Sequence, residues 1–171
     1  MSHSLWARSS GLFVIALLSA CASKTGAPGA SADPGTTAPA AAVMSCQPQS
    51  QAALVGTWYA TSTPRGVGGQ FQALTVLRAD GTMSYNTQLK IGKRMRPALR
   101  ETGCWQADGS RLTLQTLRSG GDDVDHTDPI YLNRYRIEKV DANRMTLRDE
   151  APGGQSVSAK KMPAGFKLPA R

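Results

Sequence analysis

The 171-residue chain predicts an all-β domain. The expected architecture is an antiparallel up-and-down meander of about eight strands closed into a small barrel, with a β-sandwich as the alternative. Three observations predict it. Apolar side chains recur with a period of two rather than 3.6. Asp-Gly pairs and similar turn residues separate the alternating runs. No segment carries the pattern of a long helix.

The alternation is clearest from Gly81 to Leu89, where Met83, Tyr85 and Leu89 stand against small polar neighbours. Arg111 to Gln115 repeats it with Leu112 and Leu114, and Tyr131, Asn133, Tyr135 and Ile137 oppose Leu132, Arg134 and Arg136. Breaks fall at Ala79-Asp80-Gly81, Ala107-Asp108-Gly109, Asp141-Ala142-Asn143 and Pro152-Gly153-Gly154. Strands are therefore expected near 54–62, 71–78, 82–90, 98–106, 111–118, 130–139, 144–149 and 155–161. A short turn is expected at Ser50 to Leu54. Closing such a meander removes the unpaired edges that invite aggregation.

The flanks differ from this core. From Ala22 to Ala42 the chain is Ala, Gly, Pro, Ser and Thr, with only Lys24 and Asp33 charged. It has almost nothing to bury and reads as a flexible tether. About twenty such residues reach a few tens of ångströms, at roughly 5–6 Å × √n. The expected division is a signal peptide at 1–20, an anchor residue and tether at 21–43, the β domain at 44–162 and a tail at 163–171. The tail is either frayed or packed along the outside.

An apolar run from Gly11 to Ala20 follows one basic residue, Arg8. That is the build of a secretory signal peptide. It is too short to span a hydrocarbon core, which needs about 20 residues. Leu18-Ser19-Ala20-Cys21 resembles the lipobox of bacterial lipoproteins. The resemblance implies cleavage before Cys21, a diacylglycerol on its thiol and an acyl chain on its new amine. Several chains on one residue anchor stably where one does not. Ala22, rather than Asp, follows the cysteine, so the resemblance implies the outer membrane, with the domain in the periplasm.

Loss of residues 1–20 removes only Arg8 from 20 basic side chains and none of the 12 acidic ones. The exported chain stays basic. It would be drawn to anionic headgroups or acidic partners, and export excludes nucleic acid as a partner. If Cys21 carries lipid, Cys46 and Cys104 remain. An oxidising periplasm favours a disulfide between them over two buried thiols. The long loop so closed is worth about 4 kcal/mol on the chain-entropy model.

Leu54-Val55-Gly56-Thr57-Trp58-Tyr59 opens the first strand. A Gly-x-Trp there resembles the lipocalin signature, and Phe71 to Tyr85, with its Asp80-Gly81 turn, resembles short bacterial lipocalin-like domains. The resemblance spans about 54–161 and implies a small barrel with Gly56 and Trp58 closing its floor. It also implies an arginine from a late strand covering the tryptophan, with Arg148 and Arg136 as candidates. The domain is shorter than classical lipocalins, so its own side chains could fill the barrel.

Catalytic residues are not expected. His3 goes with the signal, and His126 lies in the Asp/Gly-rich loop Ser119 to Pro129. That loop, with Asp122, Asp123, Asp125 and Asp128, offers hard oxygen ligands but lacks the Gly and distal Glu of a calcium loop. No metal and no cofactor is expected. Lys90, Lys93, Arg94, Arg96 and Arg100 form a basic cluster interrupted by Gly92 and Pro97, read as a hairpin connection. It serves either as a contact for anionic lipid, glycan or protein or as a solvated loop. Trp58, Tyr85, Trp105 and Tyr135, with Tyr59 and Tyr131, line a ligand site or pack the core. The function expected is a noncatalytic, lipid-anchored envelope binding domain for a small amphipathic or lipid-like ligand. The alternative is a protein-binding module, such as an assembly accessory or an inhibitor or immunity protein directed at a cell-wall hydrolase.

Overall fold

The computed structural model describes residues 44–169, apart from Pro64, Arg65 and Val67. Residues 1–43, read from the sequence as signal peptide, anchor residue and tether, lie outside the described residues. The described residues belong to one compact unit. It carries its own closed sheet, core and disulfide, so it has what an independently folding domain needs.

Among the described residues nine strands form in chain order: β1 (Gly56–Ser62), β2 (Gln70–Leu77), β3 (Thr82–Ile91), β4 (Arg94–Asp108), β5 (Arg111–Ser119), β6 (Asp122–Asp123), β7 (Leu132–Val140), β8 (Arg144–Asp149) and β9 (Ser156–Met162). All pairings are antiparallel. Each long strand pairs with its neighbours in sequence, and β9 returns to β1. The result is a closed eight-stranded barrel, with two-residue β6 added outside the ring on β5. The sandwich alternative falls away because β4–β5 and β1–β9 both pair, leaving no break between two sheets. A 3-10 turn, Pro129–Tyr131, precedes β7.

The period-two pattern sets which side chains face the axis. Register aligns Leu77 with Met83, Thr75 with Tyr85 and Ala73 with Thr87 on one face. That face carries on through Trp105 and Leu114, Leu112 and Tyr135, Ile137 and Leu147, and Met145 and Ala159. Leu54, Trp58, Leu77, Met83, Trp105, Leu112, Leu114, Met145, Leu147 and Ala159 make the buried core. Both indoles are hydrogen-bonded: Trp58 Nε1 donates to the Leu54 carbonyl at 2.8 Å and Trp105 Nε1 to the Arg78 carbonyl at 2.8 Å. Burying a tryptophan costs little once its N–H has a partner.

The turn residues act as the sequence predicts. Asp80 Oδ1 accepts from the Thr82 amide at 2.9 Å, and Gly81 takes φ 82°. A Cβ at Gly81 would also run into the Gln47 backbone carbonyl, so the N-terminal segment needs this glycine to lie across the barrel end. That segment is tied down by the Cys46–Cys104 disulfide, whose sequence separation is 58. Gln49 assists: its amide donates to the Ala79 carbonyl and its side-chain Oε1 accepts from the Ala107 amide.

β1 and β7 start two residues later than expected, at Gly56 and Leu132, two-residue β6 is additional, and the largest difference from the sequence reading is at β4. β4 starts at Arg94 rather than near residue 98, so the connection shrinks to Gly92-Lys93. Pro97 is tolerated because it sits where the register shifts between Asn86 and Gln88, and β4 pairs with β5 only from Glu101 onward. A proline's missing N–H costs least at a bulge on an unpaired edge. The Leu99 amide uses the Thr87 hydroxyl instead, at 2.9 Å. The tail takes the second of its two expected courses and packs along the outside. Phe166 meets Tyr59 edge-on at 5.8 Å between ring centroids, and Gln88 Nε2 donates to the Pro169 carbonyl at 3.1 Å.

Candidate functional site: the open end of the barrel

The two barrel ends are built differently. At the closed end, the turn Ala52 to Leu54 places Leu54 under the barrel, fully buried. Trp58 and Trp105, each 1% exposed, lie above it. Gly56 and Trp58 thus sit at a sealed floor. The residue over the tryptophan, however, is neither Arg148 nor Arg136. Lys161 of β9 is aligned with Trp58 across the β1–β9 pair, and its Nζ lies 5.0 Å from the ring centroid. Arg148 and Arg136 are on the outer face, where Arg148 Nε meets Glu138 at 2.7 Å and Arg136 meets it at 4.0 Å. The period-two pattern carries the correction: Val157, Ala159 and Lys161 share the inward face of β9.

Above this floor the barrel opens. A small apolar void of about 90 Å³ lies between Leu112, Leu114, Met145, Leu147 and Ala159. Tyr85 and Tyr135 roof it and also line a second, wider cavity of about 380 Å³ at the mouth. The lower void is too small for a lipid tail, so the barrel is in large part filled by its own side chains. Two larger hollows, about 450 and 530 Å³, adjoin the mouth cavity at Leu99 and Ser119 and at Asn133, and neither has an aromatic ring in its wall.

The mouth cavity combines apolar walls with one acidic group. Leu99, Leu114 and Ile130 supply hydrocarbon; Tyr85, Tyr131 and Tyr135 supply aromatic faces; Glu101, Thr116 and Asn133 supply polar atoms. Glu101 faces inward because it pairs with Ser119 and aligns with inward Tyr85. Its Oε2 accepts from the Thr116 hydroxyl at 3.3 Å. Burial pushes its carboxyl above the ordinary glutamate range, and the Thr116 hydrogen bond offsets part of that. The Tyr85 hydroxyl is raised by burial first and then by the Glu101 charge. Tyr135 is raised by burial, and further by Tyr85, Asp149 and Glu101. Glu101 is in none of the ion pairs among the described residues.

The aromatic set therefore divides. Trp58 and Trp105 are core, Tyr85 and Tyr135 are both core and cavity wall, Tyr131 lines the rim, and Tyr59 packs under the tail. Glu101 and Thr116 did not stand out in the sequence. Their signal was register: Leu99, Glu101, Gly103 and Trp105 alternate along one strand.

The basic cluster projects at the same open end. It is strand rather than loop: Lys90 is in β3, Arg94, Arg96 and Arg100 are in β4, and only Lys93 lies in the turn. Arg96 aligns with inward-facing Leu89 and Arg94 with Ile91, so both continue the interior face beyond the mouth. Lys90 and Arg100 face outward, aligned with Met95 and Asn86. Apolar residues share this rim: Ile130 is 72% exposed, with Ile91, Leu99 and Val157 also exposed.

The acidic loop does not converge on a point. Asp123 pairs with Arg118 at 3.0 Å, Asp125 accepts from Thr127, and Asp128 caps the 3-10 turn by accepting from the Ile130 amide. Among the described residues no three His, Cys, Asp or Glu side chains gather as metal ligands. His126 offers its carbonyl to Gln115 at 3.4 Å. Set against family models, curated proteins and solved structures, the chain gives no match.

Proposed function

We propose that this chain is a lipid-anchored envelope lipoprotein whose barrel binds a small amphipathic molecule at its mouth without catalysis. The observation that carries the reading is the asymmetry of the barrel. One end is sealed by Leu54, Trp58 and Trp105, and the other holds a cavity of about 380 Å³ with mixed lining. A concave site with apolar walls and a few convergent polar groups is the usual form of a small-ligand site. The shallow depth favours a short or partly inserted ligand over an engulfed chain. The lipobox-like Leu18-Ser19-Ala20-Cys21 supports anchoring at Cys21, and Ala22 supports the outer membrane.

Native mass spectrometry of residues 44–171 made in an oxidising compartment tests the binding. A bound small molecule on a chain lighter by two hydrogens supports it. A bare mass, with no ligand recovered on adding envelope lipid extract, counts against it. Labelling with radioactive palmitate in cells, lost in Cys21→Ser, tests the anchor.

A second reading has its own support. The β3–β4 hairpin places Lys93, Arg94 and Arg96 beside exposed Ile91, and β4 lacks a β5 partner before Glu101. That surface suits an acidic protein partner. Replacing Lys93, Arg94 and Arg96 with Ser would then cause a salt-sensitive loss of pull-down from envelope extract, leaving small-molecule binding intact.

A further inference from the structure

We propose that the mouth cavity is an ammonium site: its ligand carries a positively charged nitrogen that pairs with Glu101 and lies against tyrosine faces. This deepens, and rests on, the reading of the mouth as the binding site. The strongest reason is charge. The protein is basic overall, with 20 Lys and Arg against 12 Asp and Glu, yet the cavity wall contains one charged group and it is a carboxylate. Its only side-chain hydrogen bond among the described residues comes from Thr116. No lysine or arginine approaches it within salt-bridge distance there. A partly desolvated carboxylate without a cation is costly. A ligand cation is the simplest group that removes the cost.

The surrounding rings point the same way. Tyr85, Tyr131 and Tyr135 all border the cavity that Glu101 enters. Aromatic faces carry a negative quadrupole, and several of them beside a carboxylate form the composition of a cage for ammonium groups. Hydrocarbon from Leu99, Leu114 and Ile130 completes the wall and would take an alkyl portion. The rim arginines Arg94 and Arg96 lie beyond this cavity rather than in its wall. They would oppose a free cation on approach and suit a ligand whose nitrogen is accompanied by an outer anionic group. The shared chemistry is the ammonium group, whether on a lipid headgroup or on a free amine.

The test is calorimetric titration of residues 44–171 with four probes. Octyltrimethylammonium, 1-octanol and octyl sulfate share a tail and differ in head; tetramethylammonium is the head alone. Octyltrimethylammonium should bind at least tenfold more tightly than octanol. Glu101→Gln should bring the two level, with near-UV circular dichroism confirming an intact barrel, and Tyr131→Leu should weaken the ammonium probe severalfold. A tighter octyl probe than tetramethylammonium indicates a tailed amphipath and equal affinities a free amine, and either ranking supports the site. Equal binding of octanol and octyltrimethylammonium to the wild-type domain overturns the ammonium inference but leaves the mouth as a binding site. Preference for octyl sulfate overturns it in favour of the arginines. If no probe binds, both readings fail.

Discussion

The stem of Lys161 occupies the space that a side chain at position 56 would need. A Cβ built on Gly56 would come within 2.6 Å of Lys161 Cε, while Lys161 Nζ rests 5.0 Å from the Trp58 ring. The glycine of the Gly-x-Trp opening thus makes room for the lysine that covers the tryptophan. Gly56 also takes φ 147°, which L side chains rarely adopt. Gly56→Ala should destabilise by about 2 kcal/mol from strain plus clash. Lys161→Ala, which removes both the charge and the clashing stem, should cost about 0.5–2 kcal/mol from the lost cation–π contact. In the double variant the clash term disappears, so the two losses should be less than additive in urea denaturation. Strict additivity would mean that the lysine stem does not constrain position 56.

The disulfide ties the Leu54 plug to the barrel. With a sequence separation of 58 between its cysteines, the chain-entropy model assigns it about 4 kcal/mol. Cys46→Ser with Cys104→Ser should lower the thermal midpoint strongly, and hydrogen exchange should speed first at residues 46–55. Unchanged exchange in that segment would show that Leu54 and the Gln49 contacts hold it without the bridge.

The tail shields the outer face of β1 to β3, where Gln72, Leu74 and Gln88 are buried despite facing away from the axis. Phe166→Ala should cost about 1–3 kcal/mol, since it removes a partly buried ring and its edge contact with Tyr59. It should also increase amide exchange in β2. A change confined to residues 163–169 would mean that the tail adds nothing to the sheet.

Glu101 should destabilise the empty protein at neutral pH. Burial raises its folded pKa above the unfolded value. The folded state therefore holds the proton over a pH range where the unfolded state has released it, and stability falls as pH rises through that range. Glu101→Gln should raise the thermal midpoint at pH 7 and leave it nearly unchanged at pH 3, where both forms are neutral. The exposed carboxylates of Asp80, Asp125, Glu138 and Asp141 shift the other way, lowered by hydrogen bonds. Their support is present above the unfolded pKa and lost as pH falls, equally in both proteins. A midpoint lowered by the substitution at pH 7 would mean that the charged form is supported rather than penalised.

Much of the barrel was legible because its period is local. Met83, Tyr85 and Leu89, or Leu112 and Leu114, reveal their face from sequence spacing alone, and Asp80-Gly81 marks its own turn. Residues that depend on a distant partner were harder to read. Lys161 is a cation by type and surface-like by composition; only its register opposite Trp58 turns it inward. Pro97 reads as a break because the sequence does not say that β4 outruns β5. Glu101 looks like one more surface acid until Tyr85 and Ser119 fix its face. The cysteine pair was readable because so few thiols remain to choose from, whereas the bound molecule leaves no periodic trace.

Site-resolved NMR titration tests the account of a sealed floor and a receptive mouth most directly. Residues 44–171 contain two indole N–H groups, Trp58 and Trp105, both at the closed end. On adding octyltrimethylammonium, amide and side-chain signals of Tyr85, Glu101, Thr116, Tyr131 and Tyr135 should move while both indole signals stay fixed. Movement of the indole signals with an unchanged mouth would place binding at the opposite end and contradict the account.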